Sequence, residues 1–195
     1  MKKTGLLFGT FNPIHNSHLV VAASMAHWKS LEEIWFVVTP HNPHKDKSNL
    51  LDDTERLHLV KLATEGLPGF KACAVEFDLP QPNYTIDTLR SLTKQHPDRA
   101  FHLLMGADNL LSFPRWKDAE GILSLVEVLV YPRPGANIPE DFAFASHPRI
   151  SVLQAPMMEQ SATQIRAQLG LQKEVNDDLP GAVAAYIQAR QLYRS

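Results

Sequence analysis

The sequence predicts an α/β fold in which a parallel β-sheet is covered by helices on both faces. Apolar runs of strand length recur along the 195 residues, and segments with helical spacing lie between most of them. The strand-like runs are continuous rather than alternating, which is typical of strands that are buried on both faces. Strands that alternate with helices favour parallel pairing through crossover connections.

Each element is recognised from its local pattern. Strands are predicted at Gly5–Phe8, Ile34–Val38, Phe70–Phe77, Phe101–Met105, Val126–Tyr131 and Ile150–Leu153. Helices are predicted around Leu19–His27, Leu57–Thr64, Thr85–Gln95, Ala119–Leu125 and, in the tail, Val183–Leu192. Asp52, Asp53 and Thr54 are residue types that cap helices, so they mark the start of the second one.

Three stretches are predicted as loops, namely Thr39–Leu51, Asp78–Asn83 and Pro132–Pro148. In open α/β sheets, ligands bind in the loops at the carboxyl ends of the strands. The first loop contains His44 and Lys45. It therefore offers an imidazole and an ammonium group for an anionic ligand, although a solvated loop is the alternative interpretation.

Size and composition exclude several classes of protein. The chain has the length of one domain, which we expect to span residues 1–195. A formal net charge of −2 argues against an unspecific nucleic-acid partner. With the single cysteine Cys73, neither an intrachain disulfide nor a thiolate metal cluster can form. The apolar stretch after Lys3 is too short for a signal peptide or a membrane span, which predicts a cytoplasmic protein without a membrane partner.

The first predicted strand runs into the sequence Gly-Thr-Phe-Asn-Pro-Ile-His-Asn-Ser-His, which begins at Gly9. A glycine lets a ligand approach the backbone closely. Asn16 or Ser17 can cap the helix that follows, and the N–H groups and dipole at a helix start favour an anion. His15 and His18 would stand beside these donors. The motif therefore predicts a site for a phosphate chain.

Three other interpretations of this histidine pair stay open. The histidines are surface or turn residues in the first. In the second they bind zinc, although the glutamate of His-Glu-x-x-His and a further ligand pattern are missing. In the third the chain is a truncated class I aminoacyl-tRNA synthetase, although its length leaves too little chain for a tRNA-reading domain.

A second motif, Ser-Ala-Thr-Gln-Ile-Arg, begins at Ser161 after the last predicted strand and opens another helix. Ser161 or Thr163 can cap this helix, so its first N–H groups form a second anion site. The planar guanidinium of Arg166, one turn into the helix, matches phosphate oxygens. A capped surface helix with a solvated arginine is the alternative.

Both motifs resemble those of the nucleotidyltransferases related to class I synthetases. The first is similar to their Gly-x-Phe-x-Pro-x-His-x-Gly-His signature, and the second to Ile-Ser-x-Thr-x-Ile-Arg. This chain departs from the signatures at Ser17 for glycine, at Asn12 for the commoner aspartate and at Gln160 for isoleucine. The resemblance implies a Rossmann-like nucleotidyltransferase fold.

Further stretches resemble the bacterial nicotinate mononucleotide adenylyltransferase family along the whole chain. They are Asn83–Thr85, Asp87–Leu89, Met105–Asn109, Phe113–Trp116, Tyr131–Gly135 and Leu192–Arg194. Pantetheine-phosphate adenylyltransferases share the first motif but are shorter and lack the Tyr-Thr and Pro-x-Trp pieces. The resemblance implies adenylyl transfer from ATP to nicotinate mononucleotide, which gives deamido-NAD and pyrophosphate in NAD biosynthesis.

The same resemblance implies a set of site residues. The catalytic residues would be His15, His18 and Arg166. ATP would be bound by Gly9, Thr10, Phe11, His15, His18, Gly106, Asp108, Arg133, Ser161, Thr163 and Arg166. The mononucleotide would be bound by Asn12, His44, Lys45, Tyr84, Thr85 and Trp116. A helix N-cap remains the alternative role for Asp108, and core packing the alternative for Trp116.

The implied chemistry needs no general base and no covalent intermediate, because the attacking phosphate oxygen is already ionised. Mg²⁺ is expected to enter with ATP, without direct protein ligands. Alternatives are transfer to nicotinamide mononucleotide or to a pantetheine phosphate, and a nucleotide-binding module without turnover. The partners are otherwise small molecules, and a homo-oligomer is compatible with the sequence.

Overall fold

The computed structural model describes residues 1–41, 50–142, 144, 146–175 and 177–194. A six-stranded sheet forms its centre. The strands are β1 (Lys2–Gly9), β2 (Glu33–Val38), β3 (Phe70–Cys73), β4 (Arg99–Gly106), β5 (Glu127–Tyr131) and β6 (Ile150–Val152). Their order across the sheet is β3-β2-β1-β4-β5-β6, and every neighbouring pair is parallel. The predicted α/β fold with a parallel sheet is confirmed.

Helices connect these strands and cover the sheet. They are α1 (Asn16–Lys29), α2 (Asp53–Thr64), α3 (Thr85–Gln95), α4 (Ala107–Ser112), α5 (Ala119–Leu125), α6 (Ala162–Gly170) and α7 (Gly181–Arg190). The sequence analysis missed α4, a six-residue helix that starts directly where β4 ends. The other helices confirm the predictions, and Asp52 caps α2 by accepting a hydrogen bond from the Thr54 N–H.

The predicted strand Phe70–Phe77 is too long. It ends at Cys73, and a 3-10 helix follows over Val75–Asp78. The cause is the partner strand: Cys73 pairs with Val37, and β2 ends one residue later. Beyond that point no neighbour remains on that side of β3 to continue the ladder of hydrogen bonds.

Two hydrophobic cores lie on opposite faces of the sheet. One contains side chains of α1, α2, α6 and α7, and the other contains side chains of α3, α4 and α5. Successive strand residues alternate between them, since Leu7 lies in the first core and Leu6 in the second. Both are almost fully buried, and burial of such a side chain stabilises the fold by about 1.5–3 kcal/mol.

The strand order reverses between β1 and β4. The chain leaves β1 towards β2 on one side and leaves β4 towards β5 on the other. In such sheets a crevice forms at the carboxyl ends of the two diverging strands, which here are Gly9 and Gly106. Both predicted ATP-binding glycines therefore stand at this crevice. Among the described residues, no helix has the length and apolar character to cross a bilayer.

Candidate active site

The turn after β1 is shaped around Phe11. This residue has a φ of 45°, in the left-handed region that few side chains adopt. Its buried ring packs against the rings of His18 and Phe36, with centroid distances of 5.1 and 5.8 Å. A Cβ atom on Gly9 would lie 3.0 Å from the Phe11 ring. The missing side chain at Gly9 therefore makes room for Phe11, in addition to any ligand approach.

The residue that caps α1 is His15, and the sequence-based choice of Asn16 or Ser17 was wrong. The His15 N–H donates to Nδ1 of His18 at 3.2 Å, and the His18 N–H donates to the His15 carbonyl at 2.9 Å. The two rings lie 3.8 Å apart between centroids. This bonding fixes the His18 imidazole at the start of the helix, beside the His15 ring, where the helix dipole favours an anion.

The His15 side chain is only 3% exposed. Its burial, with a further contribution from the positive charge of Arg133, lowers the pKa of His15 to about 4. His15 is therefore neutral at pH 7 and offers a hydrogen bond rather than a positive charge. Its Nδ1 atom has no hydrogen-bond partner among the described residues. An orphaned polar atom in a buried position is the feature expected where a ligand supplies the partner.

The second motif meets the first. Ser161 caps α6, as predicted, and its Oγ accepts from the Gln164 N–H at 3.3 Å. One turn later, Nη1 of Arg166 donates to the carbonyl oxygen of Asn12 at 2.8 Å. Its Nη2 donates to Oγ1 of Thr163 at 3.3 Å. The guanidinium thus joins the predicted cap region of α6 to the turn that precedes the two histidines.

Asn12 is a buried connecting residue in this structure. Its Oδ1 accepts hydrogen bonds from the Tyr193 hydroxyl at 2.9 Å and from the Leu51 N–H at 3.2 Å. Burial raises the pKa of Tyr193 from about 10, so the hydroxyl keeps its proton and donates at neutral pH. Asn12 was predicted to bind the mononucleotide; the structure buries this residue, which is 2% exposed.

Sequence reasoning missed Arg56, which is fully buried on α2. Its guanidinium donates to the Thr10 carbonyl in the first motif and to the Thr39 carbonyl at 3.1 Å. It also donates to the Leu51 carbonyl at 3.1 Å and to the Asp53 carboxylate. One side chain therefore ties the first motif to both ends of the loop predicted over residues 39–51.

A signal for Arg56 was present in the sequence. The buried positions of α2 include Arg56, Leu59, Val60 and Ala63, which follow helical spacing. An arginine on the apolar face of a helix is unusual, and it is retained where it is fully hydrogen-bonded. That position identifies Arg56 as a candidate for an internal supporting role.

On the other side of the crevice, two side chains pack closely against Gly106. A Cβ atom there would lie 2.3 Å from Oδ1 of Asp108 and 2.8 Å from Cγ of Arg133. The Nε atom of Arg133 lies 3.6 Å from Asp108 Oδ1, within ion-pair distance. Gly106 itself is the N-cap residue of α4, so Asp108 is not the cap that was considered as its alternative role.

Three residues predicted to bind the mononucleotide lie on the face of the sheet that is covered by α3, α4 and α5. They are Tyr84, Thr85 and Trp116. Tyr84 is the N-cap residue of α3, and Thr85 is the first residue of that helix. Lys117 lies 4.5 Å above the Tyr84 ring, and its ammonium forms an ion pair of 2.8 Å with Asp87 in the first turn. This lysine therefore links the start of α3 to the Trp116 segment.

Trp116 is half-buried. This exposure is compatible with core packing and with binding of the mononucleotide. Its Nε1 donates to the Ser112 hydroxyl at 3.2 Å, and its ring lies 5.5 Å from that of Phe113. These contacts hold one edge of the indole while leaving part of the ring exposed. His44 and Lys45, the remaining predicted residues, lie outside the described residues.

Comparison with known proteins identifies the class and the family of the chain. The cytidylyltransferase-like family profile matches residues 6–168, a span that contains both motifs. With the parallel sheet it defines the class, a Rossmann-like nucleotidyltransferase. The solved Plasmodium falciparum nicotinic acid mononucleotide adenylyltransferase complexed with NaAD has the same fold, with a TM-score of 0.80 at 19% identity, and the alignment covers 99% of this chain and 98% of that one.

Relatives with similar sequences identify the family within this class. A protein of Christiangramia forsetii, named probable nicotinate-nucleotide adenylyltransferase, is 47% identical over 195 residues, 99% of each chain. One of Flavobacterium psychrophilum with the same name is 47% identical over 192 residues, 98% of this chain and 99% of its own. The chain belongs to the nicotinate-nucleotide adenylyltransferase family within the cytidylyltransferase-like proteins.

Proposed function

We propose that this chain transfers the adenylyl group of ATP to nicotinate mononucleotide, releasing deamido-NAD and pyrophosphate. It is a nucleotidyltransferase of NAD biosynthesis, as its family membership indicates. The observation that carries the assignment of residues is the contact of Arg166 with Asn12. This contact brings the second anion-binding motif against the first at the carboxyl rim of the sheet.

The reaction requires two anions to approach each other. The mononucleotide phosphate attacks the α-phosphorus of ATP, and the bond to the pyrophosphate oxygen breaks. Catalysis therefore depends on positioning and on charge neutralisation rather than on proton transfer. We assign Arg166 to the triphosphate as a fixed positive charge and His15 as a neutral hydrogen-bond partner, consistent with its lowered pKa. His18 is assigned to the α-phosphoryl group as it becomes five-coordinate.

Mg²⁺ is proposed as the metal that accompanies ATP. Among the described residues no group of three or more His, Cys, Asp or Glu side chains could hold a metal ion. Asp108, half-exposed at the crevice, supplies a single carboxylate. Mg²⁺ usually keeps several waters and is held mainly by substrate phosphates, so a single carboxylate that bonds its water shell fits. When bound, the ion would neutralise charge on the departing pyrophosphate.

The acceptor is assigned to the start of α3. The Tyr84 side chain makes no capping hydrogen bond to this helix, and the Tyr84 carbonyl accepts from the Asp87 N–H, so the N–H groups of Thr85 and Ile86 can receive a carboxylate. Trp116 offers a partly exposed flat ring for the pyridine. A nicotinamide lacks the negative charge that the helix start favours, which supports the acid as the preferred acceptor.

We infer that the chain is a single domain of residues 1–195 that acts in the cytoplasm on small-molecule substrates. The two cores share the same sheet, which supports one folding unit. Mononucleotide and ATP enter the same crevice in this assignment, with Mg²⁺ entering as the ATP complex.

A paired assay tests the activity. Purified protein is mixed with ATP, Mg²⁺ and one acceptor, and pyrophosphate and dinucleotide are both quantified. Nicotinate mononucleotide should give equal amounts of the two products, and nicotinamide mononucleotide and phosphopantetheine should react more slowly. Faster turnover with either alternative would reassign the acceptor. ATP binding without pyrophosphate release from any acceptor would identify a nucleotide-binding module instead.

A further inference from the structure

A polar bridge connects the two anion-binding motifs at a second point, away from Arg166. The Ser17 hydroxyl donates to Oε1 of Gln160 at 3.2 Å. Ser17 lies in the first turn of α1, next to His18, and Gln160 directly precedes the Ser161 cap of α6. The bridge thus joins the starts of the two helices whose N-termini are assigned to the triphosphate.

The bridge continues into the segment before α7. Nε2 of Gln160 donates to a carboxylate oxygen of Asp178. The Asp178 carbonyl in turn accepts from the Asn16 N–H at 2.9 Å, and the Asn16 side chain donates to the Asp177 carbonyl at 2.9 Å. Because Asn16 and Ser17 are consecutive, these contacts close a ring of hydrogen bonds.

One end of this ring is buried and its middle is held by two hydrogen bonds. Ser17 is 3% exposed, so its hydroxyl must find a partner within the protein, and Gln160 supplies it. The Gln160 amide is used at both ends, as an acceptor towards Ser17 and as a donor towards Asp178. A side chain held at both ends has little freedom to rotate. The distance between the two helix starts is therefore fixed by its length.

The two residues also depart together from the motifs that the chain otherwise resembles, which have glycine and isoleucine at these positions. A buried serine hydroxyl facing an isoleucine would lack a partner and would destabilise the fold. If glycine stood opposite the glutamine, the amide oxygen of the glutamine would have no hydroxyl to accept a hydrogen bond from. In this chain the two departing residues contact each other.

We propose that Ser17, Gln160 and Asp178 are positioning residues, which hold the starts of α1 and α6 at the separation that the triphosphate requires. This inference rests on the proposed function, because it assigns both helix starts to ATP. Small displacements of preorganised groups have large effects on rate. Loss of the bridge should therefore weaken ATP binding and turnover without affecting the mononucleotide site, which lies at α3 in the other core.

A double-mutant cycle tests the bridge. Wild type, Ser17→Ala, Gln160→Leu and the double variant are compared by kcat, by KM for each substrate and by thermal unfolding. Each single change should lower kcat/KM for ATP by roughly 5- to 10-fold and leave KM for the mononucleotide unchanged. The double variant should lose no more than the worse single variant, because either change already breaks the bridge.

Gln154→Leu is the matched control. Gln154 is exposed in the same segment, six residues before Gln160, and should retain wild-type kinetics. The proposal would be overturned if the losses in kcat/KM of the two single variants multiplied in the double variant. It would also be overturned if neither single variant lost any activity. A fall in kcat with both KM values unchanged and a lower unfolding temperature, which indicates only lost folding, would overturn it as well. Wild-type turnover, measured first, separates these results from a failure of the proposed reaction.

Discussion

The two ends of the sheet differ in how their buried polar groups are used. At the amino end, the Glu33 carboxylate on β2 accepts from Lys2 on β1 at 2.7 Å, Lys71 on β3 at 2.8 Å and Arg99 on β4 at 2.7 Å. The Trp35 indole adds a fourth bond at 2.9 Å. A single carboxylate, 6% exposed, thus joins four adjacent strands.

At the carboxyl end, Arg56 is likewise buried and hydrogen-bonded, to the Thr10, Thr39 and Leu51 carbonyls. The candidate site beside it differs, because Nδ1 of the buried His15 has no hydrogen-bond partner among the described residues and Phe11 in the preceding turn adopts a left-handed backbone conformation. Strain and unsatisfied polar atoms destabilise a fold, and they are tolerated where function requires them. The comparison teaches that the amino end joins its strands through one shared carboxylate, whereas the carboxyl end combines a supporting network with a histidine left for a ligand.

The largest expected effect belongs to the carboxyl end. His18→Ala removes a fixed hydrogen-bonding group from the proposed phosphoryl site. We expect kcat to fall roughly 10²- to 10³-fold, which corresponds to about 2.7–4 kcal/mol, while the unfolding temperature stays close to that of the wild type. Steady-state kinetics and thermal unfolding check this together. An unchanged kcat would remove His18 from the mechanism.

Glu33→Gln is the counterpart at the amino end. It removes a buried charge and leaves three cations without their shared partner. The free energy of unfolding should fall by about 3 kcal/mol, the lower end of the loss for a broken buried pair, because Lys2 and Lys71 are partly exposed. Urea unfolding measures it, with exposed Glu32→Gln as the control. Impaired kcat in the folded variant would contradict the separation of the two ends.

The two ends of the sheet should lose stability in different pH ranges. His15 has a lowered pKa of about 4 in the folded chain and an ordinary value near 6.5 when unfolded. As the pH falls from 6.5 to 4, the unfolded chain alone binds a proton, so stability falls by about 2–3 kcal/mol. Glu33, whose pKa is lowered mainly by its hydrogen bonds to Lys2, Lys71, Trp35 and Arg99 against an opposing effect of burial, contributes stability above about pH 4.5 that is lost at lower pH.

His15→Asn isolates the carboxyl-end contribution, because asparagine caps helices well and does not titrate. Its unfolding free energy, measured by urea at pH 6.5 and pH 5, should change less than that of the wild type. Burial also lowers the pKa of His102, so the unfolding free energy of the variant still falls somewhat as the pH is lowered. Identical slopes in the two proteins would show that His15 is not held neutral.

Trp116→Ala tests the acceptor side with a smaller effect. Loss of the flat ring should raise KM for the mononucleotide roughly 5- to 10-fold and leave KM for ATP unchanged. Initial rates with each substrate varied in turn provide the measurement. If both KM values stay at the wild-type level while stability falls, the core-packing role of Trp116 is the correct one.

The smallest change is Tyr193→Phe, which deletes one hydroxyl that donates to Asn12. Because Arg166 bonds the carbonyl of the same asparagine, the deletion should loosen the guanidinium and lower kcat/KM for ATP roughly 3- to 5-fold. Tyr186→Phe, which alters a tyrosine on α7, is the matched control. Equal kinetics in both variants would mean that Asn12 is held adequately by its other contacts.

Much of the fold could be predicted because its signals are local. The six apolar runs and the capped helix starts at Asp52 and Ser161 are visible within a few residues of sequence. The end of β3 could not be read in this way, because it depends on where the neighbouring β2 ends. The helix α4 was missed because six residues carry too little periodicity to be recognised.

The candidate site divides in the same manner. Both motifs and their order are local features, so His15, His18 and Arg166 could be predicted from the sequence. Arg56 was not predicted, and Tyr193 was noted only within the stretch Leu192–Arg194, since the partners of these two residues lie 46 and 181 residues away in the chain. The neutral state of His15 likewise depends on tertiary burial, which a sequence motif does not express.

The division of the interior into two cores has an evolutionary consequence. Two elements assigned to the triphosphate, α1 and α6, pack on one face of the sheet, and α3, assigned to the acceptor, packs on the other. Repacking one layer leaves the opposite layer largely undisturbed. A lineage can therefore acquire a new acceptor by changes around α3 while α1 and α6 are inherited intact, provided that Asp108 on α4 in the same layer is kept.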